Sequence, residues 1–185
     1  MEFTLKIGLP EKLRSACLLI PVFDTGTFGT AGNRLDKALK GALSAVLQGG
    51  DIEGKQGESM VFPAVGGLAS KRLLLAGCGQ DGDLTETGFR KILQKACQVL
   101  RTTKATDVSI LIEDFQVKDR GTEWLIQQVC EVFASGTYAF NQLKSAEKQT
   151  KIHLQKCQII LTDKASATKA DKAIRHGQAL ADEFD

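Results

Sequence analysis

The chain has 185 residues, of which 43% are hydrophobic and 25% are charged, and its formal net charge is +2. These values suit one folded domain, and three prolines and 18 glycines exclude a Pro-rich or collagen-like chain. The longest apolar run, residues 16–23, is far shorter than the roughly 20 residues that cross a bilayer, and the N-terminus does not resemble a signal peptide. We therefore predict a cytoplasmic protein that does not enter a membrane.

Cysteine and histidine usage argues against both disulfides and metal. The five cysteines are odd in number and widely spaced, and none forms a C-x-x-C pair; they are Cys17, Cys78, Cys97, Cys130 and Cys157. Each lies among apolar neighbours, which predicts free, buried thiols. The two histidines, His153 and His176, have no second ligand type at metal-binding spacing. We predict neither a catalytic residue nor a metal ligand in this chain.

The first quarter of the chain predicts two strands and a helix. Residues 3–9 alternate between apolar and polar, and residues 16–23 form the continuous apolar run of a strand buried on both faces. After a Gly- and Thr-rich loop, Asn33 is predicted to cap a helix whose apolar face extends to Val46. Gly49 and the glycine after it end that helix. Because no helix separates the first two strands, we expect them to form an antiparallel edge.

Strands and helices alternate in the rest of the chain. In chain order we predict strands at 60–64 and 71–76, a helix after residue 83, a strand at 107–112, a helix at about 122–140, a strand at 157–161 and a helix from 166. Asp83 and Glu86 have the spacing of a capping box. This order predicts an α/β fold with three layers, α/β/α, around a mixed, mostly parallel sheet. The last helix shows no stop signal, so we expect the natural sequence to continue beyond residue 185.

One glycine motif has two interpretations. Residues 77–82 read Gly-Cys-Gly-Gln-Asp-Gly, which matches G-x-G-x-x-G between a strand and a helix. Such glycines let backbone N–H groups approach a pyrophosphate. However, Asp81 and Asp83 would repel a phosphate, and no acidic residue ends the next strand at the expected distance. We favour a tight strand-to-helix turn over a nucleotide site.

Two charged features remain as candidates for function. Glu113 and Asp114 form a carboxylate pair at a strand end, where either catalysis or ordinary loop solvation would explain them. Residues 141–176 contain eight basic and three acidic side chains. A basic surface holds phosphates without reading sequence, so Lys144, Lys148 and Lys151 are candidate nucleic-acid contacts. The stretch has no aromatic residue to stack on bases, and a solvated surface is the alternative.

Several strings spread over the chain resemble the N-terminal domain of bacterial leucyl aminopeptidases, the cytosol aminopeptidase family. They are Met1-Glu2-Phe3, Arg14-Ser15-Ala16-Cys17, Glu53-Gly54-Lys55-Gln56-Gly57, Arg72-Leu73-Leu74-Leu75-Ala76-Gly77-Cys78-Gly79 and Ala173-Ile174-Arg175-His176-Gly177-Gln178-Ala179-Leu180-Ala181. The resemblance implies a macro-domain-like fold over residues 1–164. It implies that residues 165–185 begin the helix that leads to a catalytic domain.

The resemblance also implies a function for the whole protein. Family members are exopeptidases in which two divalent metal ions, commonly zinc or manganese, activate a water molecule, and they usually form hexamers through the catalytic domain. Their Asn-Thr-Asp-Ala-Glu-Gly-Arg signature is absent here, so this chain inherits no catalytic or metal-binding residue. We therefore expect a non-catalytic domain of a peptide hydrolase. A DNA-binding regulatory module is the alternative, since some bacterial members bind DNA, and an ADP-ribose or nucleotide binder is a further one.

Overall fold

A computed structural model describes residues 1–63, 65–142 and 153–183, with the side chains of residues 138–142 excluded. Within this part of the chain, one sheet has the strand order β1-β6-β5-β2-β4-β3. The strands are β1 (Glu2–Ile7), β2 (Leu18–Val22), β3 (Ser59–Pro63), β4 (Arg72–Gly77), β5 (Asp107–Leu111) and β6 (Lys156–Leu161). The helices are α1 (Thr30–Ala38), α2 (Ala42–Gln48), α3 (Glu86–Arg101), α4 (Thr122–Gln142) and α5 (Ala167–Asp182). No helix in the described ranges is long and apolar enough to span a membrane.

The helices cover the sheet from both sides, which confirms the predicted three-layer α/β/α fold. Alternate residues of a strand point to opposite faces, so Leu18 and Leu19 of β2 belong to different hydrophobic clusters. The Leu18 cluster includes residues of α1 and α2, and the Leu19 cluster includes residues of α3, α4 and α5. Because β2 contacts both layers, all five of its residues are buried. The continuous apolar run at residues 16–23 was the sequence signal for this central position.

The predicted antiparallel edge at the first two strands is wrong. β1 does lie at an edge of the sheet, but it pairs in parallel with β6, while β2 pairs in parallel with β4 and β5. The link at residues 8–17 is long enough to return the chain from the carboxyl ends of the parallel strands to their amino ends without an α-helix. The antiparallel strand is β3, which pairs with β4. Only residues 64–71 separate these two strands, too few for a parallel crossover.

The side chain of Gln178 covers part of the outer edge of β1. Its amide oxygen accepts a hydrogen bond from the Phe3 N–H at 3.1 Å, and its amide nitrogen donates to the Met1 carbonyl at 3.2 Å. The backbone groups of an edge strand otherwise offer a pairing site to another strand. A helix residue thus satisfies two groups that the sheet leaves unpaired.

The predicted single helix from Asn33 to Val46 is two helices, and Asn33 is not its cap. α1 begins three residues earlier at Thr30, and Lys40 and Gly41 interrupt the helix with φ values of +55° and +81°. The Asp36 carboxylate then accepts hydrogen bonds from the backbone of the first turn of α2. The change of direction therefore depends on two consecutive residues in the left-handed backbone region. The pattern of apolar positions in the sequence does not detect them.

The predicted capping box of Asp83 and Glu86 is wrong, and the cap of α3 lies two residues later than predicted. The N-cap is Thr85, whose hydroxyl oxygen accepts a hydrogen bond from the Gly88 N–H at 3.0 Å. Asp83 forms an ion pair with Lys118 at 2.7 Å, and Glu86 forms one with Arg120. Sequence spacing suggested local partners for these carboxylates, but their partners come from the segment after β5.

The cysteines are free and buried, as predicted. Burial raises the pKa of Cys17, Cys78 and Cys130 to about 12. Burial also raises the pKa of Cys97 and Cys157. Only the thiolate is a good nucleophile, so these side chains serve as apolar packing groups in the folded protein.

We predict that the folded protein does not react with a thiol reagent at pH 8. A thiol with a pKa of about 12 is ionised in only about one molecule in ten thousand at that pH, and burial also blocks access. Labelling with Ellman's reagent should therefore be negligible in native buffer, and all five cysteines should react in concentrated urea. A stoichiometric fast phase in native buffer would contradict this account.

The close packing of α4 and α5 depends on Gly177. A β-carbon at this position would lie 2.6 Å from the Cys130 Cβ and 2.7 Å from its Sγ. Real β-carbons do not approach neighbouring atoms so closely, and the Cys130 Cβ cannot move without its backbone. The absence of a side chain therefore sets the separation of the two helices.

We predict that Gly177→Ala destabilises the domain although alanine favours helix. The propensity gain of about 1 kcal/mol is smaller than the cost of forcing two packed helices apart, so we expect a net loss of about 1–3 kcal/mol. Urea denaturation measures the difference. Gly66→Ala is the matched control, because a β-carbon there meets nothing within 4 Å, and its effect should stay within about 0.5 kcal/mol. Equal effects of the two substitutions would refute the packing argument.

Candidate functional site

The carboxyl ends of the parallel strands are the place to look for a site in this fold. Ligands of open α/β sheets bind in crevices where neighbouring strands continue to opposite faces. β2 continues into α1 on one face, whereas its neighbours β4 and β5 continue into α3 and α4 on the other. The fold therefore has two such positions, which we call the β2/β4 crevice and the β2/β5 crevice.

The Asp114 carboxylate fills the β2/β5 crevice. One carboxylate oxygen accepts a hydrogen bond from the Ala31 N–H at 2.8 Å, and the other accepts one from the Gly32 N–H at 2.6 Å. These donors lie in the first turn of α1, where backbone N–H groups have no partner within the helix. Asp114 is only 4% exposed. A side chain from the segment after β5 therefore caps the helix that follows β2.

Two opposing effects act on the pKa of Asp114. Burial, the largest effect, and the charge of Glu113 raise it, while the hydrogen bonds from Ala31 and Gly32 and the charge of Arg34 lower it, and the net result is a raised pKa. Each carboxylate oxygen accepts one hydrogen bond from the backbone of α1. Loop solvation, one of the two interpretations from the sequence, is wrong for Asp114 because the side chain is buried.

The neighbouring carboxylate of Glu113 also has partners within the chain. Its two oxygens accept hydrogen bonds from the backbone N–H and the hydroxyl group of Thr162, each at 2.6 Å. Thr162 directly follows β6. The pair at residues 113 and 114 thus ties the segment after β5 to the segments after β2 and β6. The contacts of both carboxylates with the backbone give the pair a structural role.

The segment 53–58 fills the β2/β4 crevice. Gly54 passes so close to β2 that a β-carbon would lie 2.1 Å from the Phe23 carbonyl oxygen. Its own carbonyl accepts a hydrogen bond from the Gly79 N–H at 2.9 Å. One oxygen of Glu58 accepts three bonds from consecutive backbone N–H groups, those of Glu53, Gly54 and Lys55, at 2.8–3.0 Å. Such a concave row of N–H groups binds anions, and here the anion is a side chain of the same segment.

The G-x-G-x-x-G motif is the other wall of this closed crevice. A β-carbon at Gly77 would lie 2.1 Å from the Lys55 carbonyl oxygen, so the glycine is needed for contact with segment 53–58. Gly79 and Gly82 have φ values of +74° and +78°. The glycines therefore serve a tight turn and a close approach of backbone, which agrees with the interpretation we favoured.

An open depression of about 540 Å³ lies between the starts of α4 and α5. Arg120, Trp124 and Lys169 line it, and the Arg120 guanidinium lies 5.3 Å from the centroid of the Trp124 ring. Arg120 also pairs with Glu86, and Trp124 packs against Phe89 of the core. The tryptophan therefore packs at the core edge, as its default role predicts.

The predicted nucleic-acid contacts Lys144, Lys148 and Lys151 lie outside the described residues. Two other basic side chains of the same stretch have acidic partners. Lys156 pairs with Glu2 at 3.4 Å, and Arg175 pairs with Asp171 at 2.8 Å. These pairs reduce the local excess of positive charge on the described part of the stretch. A role for the three lysines stays a prediction.

The described residues do not fit a metal centre. Among them, no three His, Cys, Asp or Glu side chains are placed so that they could hold an ion. The carboxylates of Asp114, which is buried, and Glu58, which is partly buried, are bound to backbone N–H groups instead. A metal-dependent reaction would need ligands from elsewhere.

Comparison with known proteins decides the family. Residues 19–147 match the N-terminal domain of the cytosol aminopeptidase family. This chain belongs to the cytosol aminopeptidase family. It is 38% identical over 181 residues to a probable cytosol aminopeptidase of Methylobacillus flagellatus and 36% identical to one of Vibrio parahaemolyticus. Each alignment covers 98% of this chain and 36% of the relative, so the chain corresponds to about a third of such a protein.

Solved structures show the same fold in this family and outside it. A mutant of tomato leucine aminopeptidase superposes with a TM-score of 0.69 at 18% identity, covering 98% of this chain and 36% of that one. A Trypanosoma brucei macrodomain, solved in complex with ADP, gives a TM-score of 0.63 at 12% identity and covers 94% and 69%. The macro-domain-like fold of this member of the cytosol aminopeptidase family is thereby confirmed.

Sequence reasoning missed the residues that close the carboxyl edge. Gly54 lies in a string that carried the family resemblance, but its close approach to Phe23 has no local signal. Glu58 gives only a weak signal in the sequence. It follows a Gly-Lys-Gln-Gly run, and its carboxylate accepts hydrogen bonds from the N–H groups of Glu53 and Lys55. Asp114 was noticed only as half of a carboxylate pair, because its partners lie about 80 residues earlier.

We predict that Gly54→Ala destabilises this member of the cytosol aminopeptidase family far more than Gly57→Ala. Both glycines have positive φ, +87° and +92°, so both substitutions cost about 1–2 kcal/mol of backbone strain. Only at position 54 does the new β-carbon collide with backbone, which adds about 1–3 kcal/mol or more. The difference between the two variants in urea denaturation isolates the collision. Equal losses would mean that segment 53–58 is not packed against β2.

Proposed function

We propose that this chain is the non-catalytic N-terminal domain of a leucyl aminopeptidase. The full-length protein then removes N-terminal residues from peptides by two-metal hydrolysis. The observation that carries the proposal is the alignment of nearly the whole chain with about a third of each probable cytosol aminopeptidase. Residues 1–164 form the domain, and residues 165–185 begin the connection to the catalytic part.

The closed carboxyl edge supports a domain without its own chemistry. Both crevices at the switch points are filled by side chains and backbone of the chain itself. The described residues also lack a group of side chains that fits a metal ion. We therefore assign the two divalent ions, zinc or manganese, to the remaining two thirds of the protein. There they would supply an activated water and polarise the scissile carbonyl.

The same reasoning places the partners elsewhere. Peptide substrates would be bound by the catalytic part, and a homohexamer would be held together through that part in the cytoplasm. This domain would contribute to assembly, substrate access or regulation through its surface. No described feature favours DNA binding, and the filled crevices disfavour ADP-ribose binding of the kind that a macrodomain in complex with ADP suggests.

Two experiments test the proposal. The coding sequence beyond residue 185 should encode a carboxylate-rich metallopeptidase domain, and a stop codon at that point would contradict the proposal. The 185-residue chain should not hydrolyse leucyl p-nitroanilide in the presence of Mn²⁺ or Zn²⁺. The chain extended by its downstream sequence is the positive control, and it should be active under the same conditions. Turnover by the 185-residue chain alone would overturn the assignment of the chemistry to the remaining part.

A further inference from the structure

Successive residues of β1 direct their backbone groups to opposite sides of the strand. The N–H groups of Glu2 and of Gly8, which follows β1, donate to the carbonyls of Gln155 and Leu161 on the β6 side. Because this direction alternates along a strand, the odd-numbered residues of β1 point their N–H and C=O groups away from the sheet. β1 is an edge strand, so these outward groups can pair with a further strand.

The outward groups of β1 have partners at one end of the strand only. Gln178 binds the Phe3 N–H at 3.1 Å and the Met1 carbonyl at 3.2 Å. In the part of the chain that the structure describes, neither a strand nor a side chain binds the outward groups of Leu5 and Ile7. The Ile7 side chain is also 39% exposed, which is high for a large apolar residue in a strand. The second half of this edge is therefore open.

The sequence of β1 is complementary to itself. A two-fold axis perpendicular to the sheet brings the β1 edges of two copies together in antiparallel direction. In the register centred on Thr4, the facing pairs are Met1 with Ile7, Glu2 with Lys6, Phe3 with Leu5, and Thr4 with Thr4. Opposite charges, apolar pairs and threonine pairs each stabilise neighbouring strands when they face one another. Every facing pair in this register thus belongs to a stabilising class.

This register also agrees with the direction of the backbone groups. Phe3 and Leu5 both point outward, so facing residues of the two copies can exchange both N–H···O bonds. The neighbouring registers that keep this match lose the ion pairs. Centring on Leu5 sets Lys6 against Thr4, and centring on Lys6 sets two lysines against each other. Charge complementarity therefore selects the register centred on Thr4, and it selects a second copy of this chain as the partner.

We propose that two copies of this domain pair through the outer edges of β1, antiparallel and centred on Thr4, so that their sheets become one. Gln178 is the competing partner, because it must release the Phe3 N–H and the Met1 carbonyl before a second strand binds them. The second copy satisfies the same two groups and adds bonds to Leu5 and Ile7. One strand from each copy forms the contact, so the dimer is weak and depends on concentration. The inference does not rest on the aminopeptidase activity of the full-length protein.

Charge reversal at the two ends of the register tests this proposal. Sedimentation equilibrium from about 1 to about 500 µM measures the dimer Kd of the 185-residue chain, and we expect a monomer–dimer equilibrium. Lys6→Glu sets like charges against Glu2 at both ends and should raise the Kd about tenfold or more. Glu2→Lys alone produces the same repulsion with the opposite sign and is the second variant. Combining both substitutions restores opposite charges, so the double variant should return to within about threefold of the wild-type Kd.

Two further variants separate the β1 edge from general effects of charge. Lys95→Glu is the matched control, because it makes the same charge change on α3, which packs near β3 and β4 at the other end of the sheet. It should leave the Kd unchanged. Gln178→Ala removes the competing bonds and should lower the Kd about threefold or more. Circular dichroism verifies that each variant is folded.

A disulfide at the centre of the register tests the pairing directly. Cα atoms of facing residues in antiparallel strands lie about 4.5–5.5 Å apart, within the range that a disulfide bridges. Thr4→Cys should therefore form a covalent dimer when oxidised glutathione is added, with reduced glutathione as the product. The native cysteines are buried and should not contribute. Lys95→Cys is the exposed control, and it should form much less covalent dimer.

Three outcomes would overturn the proposal. The first is a wild type that stays monomeric up to about 500 µM, as expected if another segment of the parent protein covers this edge. The second is a dimer that Lys6→Glu and Glu2→Lys do not weaken, or that Lys95→Glu weakens equally. The third is a covalent yield from Thr4→Cys no greater than that from Lys95→Cys.

Discussion

The pairing of outward-facing backbone N–H groups with carboxylates of the same chain is the constraint on which this domain depends. A buried N–H without a partner costs about 1–3 kcal/mol, and the carboxyl edge of an α/β sheet gathers many of them. Here Asp114 satisfies buried donors in the first turn of α1, and Glu58 satisfies the row at residues 53–55, of which Gly54 is buried and Glu53 and Lys55 are exposed. In a ligand-binding protein of this type, a substrate or cofactor would supply some of these acceptors. This domain supplies them itself, so its fold is complete without a ligand.

The second constraint is close approach of backbone, and it is met by glycine. Segment 53–58 can lie on β2 only because Gly54 has no side chain, and α5 can lie on α4 only because Gly177 has none. The two contacts act in different places. The first closes a crevice at the sheet edge, and the second packs α5 against α4 at Cys130. Both contacts fill space with tightly packed backbone and side chains. Such packing suits a domain of an enzyme family whose reacting groups we assign to another part of the protein.

The amino-acid sequence predicted the architecture well where the signal was local. The continuous apolar run of β2 and the apolar face of α3, from Phe89 to Leu100, identified buried elements because burial on one or two faces dictates periodicity. The sequence failed where a distant residue decides the outcome. Asn33 looked like a helix cap, yet the helix starts at Thr30 because Asp114 satisfies its first donors. The parallel pairing of β1 was missed for the same reason, since its partner β6 lies some 150 residues later.

That late partner has a consequence for how the protein is made. β1 is synthesised before the other strands of the described sheet, but its partner in that sheet is β6, and Gln178 covers part of its outer edge. A chain growing on the ribosome would therefore carry the unpaired strand β1, whose residues alternate between apolar and polar, until β6 has emerged from the exit tunnel. Such long-range pairing is slow and leaves a nascent chain open to association with others. The sheet can consequently be completed at β1 only after β6 has been synthesised.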